Sequence, residues 1–322
     1  MKYTIIGGGP IGGGLGGLLA LAGEEVLLID HNKENITAIN KAGLRLTIAD
    51  NRLHTERKAV AKLSAAVSAA DAGIADVVIL STKCCQTRDA VKSIRQVSDS
   101  HTTIIVNQNG LGSLDILKEY FPAEQLAYTA VEYGGRRVAP GEIYLIASSG
   151  QVNLPATAVD PSREDTLLRM SSTLATQGFC MTYYPKIEMD HKVWVKLTNN
   201  CVLSGTCALA HCTVDGFFAC QEGIDLARKI IAENCAVANA MGIPLTPEDI
   251  RSVPAEVQPK IREGYRHFPS MVADMDRKRA TENAFLNGAV SRIGKEVGVP
   301  TPYNDTISVL VSIVEQNYDC RS

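Results

Sequence analysis

Hydrophobic residues near the start of the chain occur in short runs on either side of a segment of small residues. Residues 3–6 and 25–30 are mainly apolar, and residues 11–23 are rich in glycine, alanine and leucine. Runs of this length predict buried strands, and the segment between them predicts a helix. Because minimal turns join the three segments, they predict a β-α-β unit.

The same alternation continues to residue 107. It predicts a helix near 32–43, a strand at 75–81, a helix near 84–97 and a strand at 102–107. Strands that alternate with helices are typical of a parallel sheet covered on both faces.

Three more segments have the pattern of strands. Residues 127–132 and 143–147 are separated by Pro140-Gly141, which predicts a turn, and we expect both to extend the sheet or form its edge. Tyr183-Tyr184 is another candidate strand.

Residues after about 188 show a helical pattern interrupted by prolines. The predicted helices span 189–210, 215–241, about 247–264, 271–297 and 303–318, with Pro244, Pro247, Pro269, Pro300 and Pro302 at the breaks. We therefore predict an α/β fold with an N-terminal Rossmann-type doubly wound sheet, residues 1–187, and an all-helical C-terminal domain, residues 188–322. A single elaborate domain is the alternative, although 322 residues exceed the usual size of one core.

Composition narrows the class of protein. The net charge of -3 gives no basic excess to hold nucleic-acid phosphates, so we expect no nucleic-acid partner. The nine cysteines are odd in number and form no CxxC pairs, which argues against a disulfide scaffold and a structural zinc site. Cys207, His211 and Cys212 fit no common ligand spacing, so we expect reduced thiols and no metal.

The glycine-rich start of the chain superficially resembles a membrane span. Nine of residues 7–23 are glycine and Pro10 interrupts the run, which makes a poor uniform helix. We therefore expect no membrane association and a cytoplasmic enzyme.

A GxGxxG motif follows the first predicted strand and begins the first helix. It is formed by Gly7, Gly8, Gly9, Pro10, Ile11 and Gly12. Its glycines permit a tight turn, and backbone N–H groups at the helix N-terminus favour a pyrophosphate. A glycine-rich turn that only packs helix on strand is the alternative, but the motif lies inside a β-α-β unit with an acidic residue 18 positions beyond Gly12.

That acidic residue, Asp30, indicates a cofactor preference. A carboxylate at the end of the second strand accepts hydrogen bonds from the adenosine ribose but repels a 2'-phosphate, which favours NAD(H) over NADP(H). Asp30 could instead cap the following helix. Lys33 could soften the preference by offering a cation to a phosphate.

Several segments together resemble the ketopantoate reductase (2-dehydropantoate 2-reductase) family, in order and over nearly the whole chain. Two of them follow predicted strands at the edge where open α/β sheets bind ligands. The segments are 83–86 (Lys-Cys-Cys-Gln), 107–112 (Asn-Gln-Asn-Gly-Leu-Gly), 194–201 (Trp-Val-Lys-Leu-Thr-Asn-Asn-Cys), 270–274 (Ser-Met-Val-Ala-Asp), 279–288 (Arg-Ala-Thr-Glu-Asn-Ala-Phe-Leu-Asn-Gly) and 299–304 (Val-Pro-Thr-Pro-Tyr-Asn).

The resemblance implies hydride transfer from a reduced nicotinamide to ketopantoate, in a cleft between a Rossmann domain and a helical domain, and a place in pantothenate biosynthesis. It also implies residue roles. The catalytic lysine is Lys196, and the asparagine that contacts the substrate is Asn200. Ser270 is the serine that binds the substrate carboxylate, and Glu282 is the active-site glutamate, which contacts both substrate and cofactor. Lys83 and Asn109 lie on the cofactor side, and Asn109 also faces the substrate.

Two positions differ from the family pattern. Ser204 stands where the family commonly has a second asparagine, and His31 stands where a phosphate-binding arginine often follows the second strand. The first leaves the exact keto acid open. The second leaves the family's usual NADP(H) as an alternative to NAD(H).

The chemistry of these residues is consistent with the implied roles. Positions 196, 200 and 204 share one face of a helix, where an ammonium, an amide and a hydroxyl would line one wall. Reduction of a ketone builds negative charge on oxygen, which an ammonium stabilises and protonates. A solvated helix face is the alternative, although Trp194 and Leu197 on the same helix favour burial.

Two site residues also have ordinary structural interpretations. Glu282 could be an exposed helix carboxylate paired with Lys278 or Arg279, and Ser270 could be a helix N-cap before Met271. We interpret His191, His211 and His267 as structural or surface residues.

The leading prediction is a 2-keto acid reductase of the ketopantoate type. An NAD-dependent D-2-hydroxy acid dehydrogenase acting on a branched or aromatic keto acid is the nearest alternative, favoured by Asp30 and Ser204. A non-catalytic dinucleotide sensor is a third, but it would need neither Lys196 nor Glu282. A monomer and a homodimer both remain open.

Overall fold

The computed structural model describes residues 1–50, 55–147, 152–250 and 267–320. The chain divides into two compact units, Met1–Gln108 with Ser113–Met189, and Asn109–Gly112 with Asp190–Ser322. None of the described helices is both long enough and apolar enough to cross a membrane.

The first unit is an α/β domain. Its strands are β1 Lys2–Ile6, β2 Glu25–Ile29, β3 Leu44–Asp50, β4 Thr55–Ala61, β5 Ser64–Ala66, β6 Val77–Leu80, β7 Thr103–Val106, β8 Leu126–Thr129, β9 Tyr133–Ala139, β10 Glu142–Ala147, β11 Val152–Ala158 and β12 Phe179–Tyr183. Its helices are α1 Pro10–Leu21, α2 Lys33–Ala42, α3 Thr87–Val97, α4 Ser113–Lys118 and α5 Glu164–Ala175.

Eight strands form one sheet in the order β12-β11-β8-β7-β6-β1-β2-β5. Neighbouring strands from β5 to β8 are parallel, β11 is antiparallel to β8, and β12 is parallel to β11. The chain order reverses between β1 and β6, the place where sheets of this kind bind ligands. The predicted Rossmann-type fold class is confirmed.

The other four strands form a second sheet, in the order β4-β3-β10-β9. The prediction that residues 127–132 and 143–147 extend or edge the large sheet is confirmed for the first segment, which contains β8, and is wrong for the second, which forms β10 of the second sheet. Pro140-Gly141 does form a turn, with Gly141 at φ +70°, but the turn joins β10 to β9 instead of β8. Strand β9 (Tyr-Gly-Gly-Arg-Arg-Val-Ala) was not predicted, because its paired glycines and arginines interrupt the alternation of apolar and polar residues typical of a strand.

Helix α1 packs closely against strands on two sides. A Cβ atom added to Gly16 would lie 3.1 Å from the Ile5 side chain in β1. A Cβ added to Gly14 would lie 2.4 Å from the Leu145 side chain in β10 of the second sheet. The glycines of α1 therefore allow the helix to approach both sheets at once.

The second unit is helical. Its helices are α6 Lys186–Ala210, whose first residues belong to the first unit, α7 Val214–Phe218, α8 Gln221–Ala240, α9 Ser270–Asp276, α10 Asn287–Val297 and α11 Pro302–Gln316. Short 3-10 turns at Pro247–Asp249 and Asn283–Phe285 lie between them.

Two long helices predicted from the sequence are interrupted. The helix predicted over 215–241 is divided into α7 and α8 by an extended residue at Cys220. The helix predicted over 271–297 ends at Asp276, because Lys278 has a left-handed backbone with φ +52°. Residues 251–266 of the helix predicted near 247–264 lie outside the described residues.

Buried polar groups fasten the start of α11 to α8 and α6. The Glu233 carboxylate accepts hydrogen bonds from the backbone N–H groups of Tyr303 and Asn304, at 2.8 and 3.0 Å. Asn304 also donates to Asn234, which in turn donates to the Thr198 hydroxyl of α6 at 3.2 Å. The network satisfies the open N-terminus of α11 and fixes the middle of α6.

Candidate functional site

The turn after β1 has a backbone that only glycine adopts easily. Gly7 has φ +110°, and an added Cβ would lie 2.6 Å from the backbone of Ser81 after β6. The Gly7 N–H donates to the Ile29 carbonyl at 2.9 Å, so the turn is held between the ends of β2 and β6. The motif thus lies at the point where the strand order reverses.

The next part of the turn leaves room for an anion. Gly9 is the N-cap of α1, and apart from the adjoining backbone of the turn and helix no described atom lies within 4 Å of the position its Cβ would take. No side chain caps the helix, and its first turn contains no acidic residue. A helix N-terminus with this open approach fits the pyrophosphate of a dinucleotide.

Asp30 lies beside this turn with its carboxylate buried. Its side chain is 5% exposed, and its Oδ2 accepts from Arg137 at 3.2 Å. Its Oδ1 accepts from the backbone N–H of Asn32 at 3.1 Å. Asn32, rather than Asp30, caps α2, because its side chain accepts from the Asn35 N–H. The carboxylate is therefore anchored at the end of β2.

Hydrogen bonds made by side chains fix the carboxyl ends of the next strands. Asn107 donates to the Ser81 hydroxyl at 2.8 Å and accepts from Thr129 at 2.8 Å. Gln108 donates to the Thr82 carbonyl at 2.8 Å. Sequence reasoning missed Asn107 and Gln108 as positioning residues, although two amides directly after an apolar strand were a usable signal.

Lys83 and Asn109 follow these two anchored segments. Lys83 is half-buried and precedes a 3-10 turn, Cys84–Gln86. Asn109 is half-buried and belongs to the second unit with the loop 109–112. Their contacts with a cofactor stay a prediction.

The loop that contains Asn109 packs against the turn that begins at Glu282. The Leu111 N–H donates to the Phe285 carbonyl at 2.8 Å, and the Phe285 N–H donates to the Glu282 carbonyl at 2.9 Å. A Cβ on Gly110 would lie 2.3 Å from the Phe285 carbonyl oxygen. Glu282 is half-buried and lies in a turn instead of a helix, so its interpretation as an exposed helix carboxylate is wrong.

Helix α6 places Lys196, Asn200 and Ser204 at four-residue spacing in one continuous helix. Lys196 and Asn200 are half-buried, and Ser204 is 7% exposed, which does not fit a fully solvated face. Burial raises the pKa of the Cys201 thiol to about 12, so this neighbouring thiol is neutral at physiological pH.

Ser270 is exposed and is the first residue of α9. Pro269 is the N-cap, so the interpretation of Ser270 as a cap is wrong. Its contact with a substrate carboxylate stays a prediction.

Two of the histidines interpreted as structural or surface residues lie beside carboxylates. His191 Nε2 lies 3.3 Å from Asp249, and His211 Nε2 lies 3.1 Å from Asp276. Across the described part of the chain, no group of three or more histidine, cysteine or acidic side chains is arranged to hold a metal ion.

The parallel sheet, the glycine turn at its reversal point and the anchored acidic residue define a Rossmann-type dinucleotide-binding protein with a helical second unit. Residues 3–158 match the family model of ketopantoate reductase PanE/ApbA, and residues 188–315 match the model of its C-terminal part. The chain belongs to the ketopantoate reductase family.

Individual proteins are similar over almost the full chain. A 2-dehydropantoate 2-reductase from Streptococcus pyogenes is 28% identical over 316 residues, which cover 98% of each protein. The structure of D-mandelate dehydrogenase with NADH and anilino(oxo)acetate has a TM-score of 0.85 and 26% identity, with 99% of both chains covered. A dimeric ketopantoate reductase from Staphylococcus aureus has a TM-score of 0.75 and 20% identity, with 99% and 100% covered.

Substitution of Gly9 tests the open approach to the turn. Because nothing lies near its Cβ position and its φ is -66°, Gly9→Ala should leave the melting temperature within about 2 °C. The added methyl group should nevertheless lower NADH affinity about 10-fold by meeting the pyrophosphate. Calorimetric titration and a thermal melt measure the two effects.

Gly12→Ala is the matched comparison, because its Cβ would lie 2.2 Å from the Gly7 carbonyl oxygen and should reduce both stability and binding. Unchanged NADH affinity in Gly9→Ala would show that no ligand occupies this approach.

Proposed function

We propose that this protein reduces a 2-keto acid to the 2-hydroxy acid with a nicotinamide dinucleotide, and that 2-dehydropantoate is the leading substrate. The observation that supports this most strongly is the half-buried Lys196 on the same helix face as Asn200 and Ser204. Family membership supports the same reaction class.

The cofactor supplies a hydride to the keto carbon when bound. As that carbon is reduced, negative charge develops on its oxygen. The Lys196 ammonium stabilises this charge and donates the proton, which makes it the general acid. Asn200 and Ser204 orient the ketone, Ser270 binds the carboxylate of the substrate, and Glu282 binds a substrate hydroxyl or pairs with Lys196.

The glycine turn holds the pyrophosphate, and Asp30 accepts hydrogen bonds from the adenosine ribose. Lys83, Asn109 and Glu282 complete the contacts with the cofactor. Since the buried Asp30 carboxylate would repel a 2'-phosphate, we propose NAD(H) as the preferred cofactor, with NADP(H) as the alternative.

A D-2-hydroxy acid dehydrogenase is the second candidate. D-mandelate dehydrogenase, determined with NADH, is 26% identical over 99% of this chain. Asp30 and Ser204 favour such an enzyme, because a serine leaves more room than asparagine for a bulky keto acid. A non-catalytic sensor is disfavoured by Lys196 and Glu282, which binding alone does not need.

Two further proposals concern the setting of the enzyme. A homodimer is supported by the exposed side chains Val309, Leu310 and Ile313, which cluster on one side of α11. A cytoplasmic location stays a prediction.

The direct test of the reaction class is oxidation of NADH and of NADPH against a panel of 2-keto acids. The panel includes ketopantoate, 2-ketoisovalerate and benzoylformate. We expect keto-acid-dependent oxidation with NADH preferred, and ketopantoate as the best substrate of the panel. Preference for benzoylformate would favour the second candidate, and no oxidation with any keto acid would contradict both.

Removal of the Lys196 ammonium tests its role as general acid. Lys196→Met should lower kcat by about 100-fold to 10,000-fold, because it removes both the proton donor and the charge that stabilises the oxyanion. NADH affinity, measured by titration without keto acid, should change by less than about 2-fold because the side chain acts on the substrate.

Lys186→Ala is the matched control, since Lys186 is exposed at the start of the same helix. A Lys196→Met enzyme with kcat within a few-fold of the wild type would remove Lys196 from the mechanism.

Ser204 tests the specificity of the substrate site. Ser204→Asn restores the family's usual side chain, so it should shift kcat/KM towards ketopantoate and away from benzoylformate by roughly 10-fold. Ser204→Ala is the comparison, because it removes the hydroxyl without filling space. Melting curves show whether the larger side chain disturbs the buried position. An unchanged ratio in a stable Ser204→Asn enzyme would place Ser204 outside the specificity site.

A further inference from the structure

One face of strand β9, in the second sheet, packs against the glycine turn. The Tyr133 hydroxyl donates to the Ile11 carbonyl at 3.1 Å. A Cβ on Gly135 would lie 3.1 Å from the Pro10 side chain. Alternate residues of a strand share a face, so Arg137 is directed to the same side.

Arg137 joins the turn to the acidic residue of β2. Its Nη2 donates to the Gly8 carbonyl at 2.9 Å and to Asp30 Oδ2 at 3.2 Å. Its side chain is 30% exposed, and its Nε is buried without a hydrogen-bond partner among the described residues. The guanidinium is thus held beside Asp30 while part of the side chain stays open to solvent.

Asp30 and Arg137 have opposite preferences for the group at the 2'-position of the adenosine ribose. Asp30 is suited to the two hydroxyls of a ribose and repels a 2'-phosphate. A guanidinium binds phosphate through two parallel N–H groups, so Arg137 has the opposite preference. His31, whose Nδ1 lies 3.3 Å from Asp30 Oδ1, is 91% exposed and is screened by solvent.

We propose that Arg137 is a second specificity-determining residue of the dinucleotide site. The Asp30 carboxylate holds the guanidinium and selects NAD(H). When the charge of Asp30 is removed, Arg137 becomes the cation that pairs with the 2'-phosphate of NADP(H). This inference rests on the proposed dinucleotide function.

A double-mutant cycle on binding tests the proposal without any turnover. NADH and NADPH are titrated by calorimetry into the wild type, Asp30→Asn, Arg137→Met and the double variant, in the absence of keto acid. Arg136→Met is the matched control, because Arg136 directly precedes Arg137 in β9 and is exposed. Its guanidinium carbon lies 4.7 Å from the centre of the Tyr144 ring. Thermal melts are recorded for every variant, and Arg137→Lys supplies a variant that keeps the charge.

Asp30→Asn should raise NADPH affinity about 10-fold when Arg137 is present, and less than about 3-fold when Arg137 is methionine. When each is combined with Asp30→Asn, Arg137→Lys should retain part of the gain in NADPH affinity and Arg136→Met should leave that gain intact. Equal gains in NADPH affinity with and without Arg137, or no gain in either background, would overturn the role of Arg137. In that case, NADH binding by the wild type would still support the proposed function. A stable wild-type protein that binds neither dinucleotide would overturn both.

Discussion

The close approach of α1 to strands on both of its sides is the constraint on which the first unit depends. A Cβ at Gly14 would lie 2.4 Å from the end of the Leu145 side chain, and one at Gly16 would lie 3.1 Å from Ile5, so a larger residue at either position would have to displace these side chains. Glycine is costly inside a helix, by about 1 kcal/mol relative to alanine at each position. Helix α1 is stabilised by packing between two sheets instead of by intrinsic propensity.

This packing also builds the ligand site. The N-terminus of α1 is held at the reversal point of the large sheet, where Gly7 has a positive φ and Gly9 leaves an open approach. Strand β9 of the second sheet, which packs against the same helix, places Tyr133 and Arg137 in hydrogen-bonding contact with the turn. The same contacts that allow α1 to fold therefore place an anion-binding helix end next to a buried carboxylate and its arginine.

Sequence reasoning found what is encoded locally and missed what depends on long-range contacts. The glycine motif, Asp30 and the spacing on α6 are visible within a few residues. Arg137 was missed because its contact with Asp30 joins residues 107 positions apart, in a strand whose glycines and arginines conceal its pattern. The break after Asp276 was missed because a left-handed Lys278 is an unusual backbone choice that periodicity does not reveal.

In the proposed reaction, a hydride passes from a nicotinamide to the keto carbon of a 2-keto acid and the ketone oxygen takes up a proton. The most direct measurement is a single-turnover reaction of the enzyme with ketopantoate and NADH deuterated at C4 on both faces, followed by mass spectrometry and NMR of the product. We expect one deuterium at C2 of the hydroxy acid and none at its hydroxyl group after exchange in water. A product without deuterium at C2, or no product at all from ketopantoate and from the other keto acids, would contradict the proposed reaction.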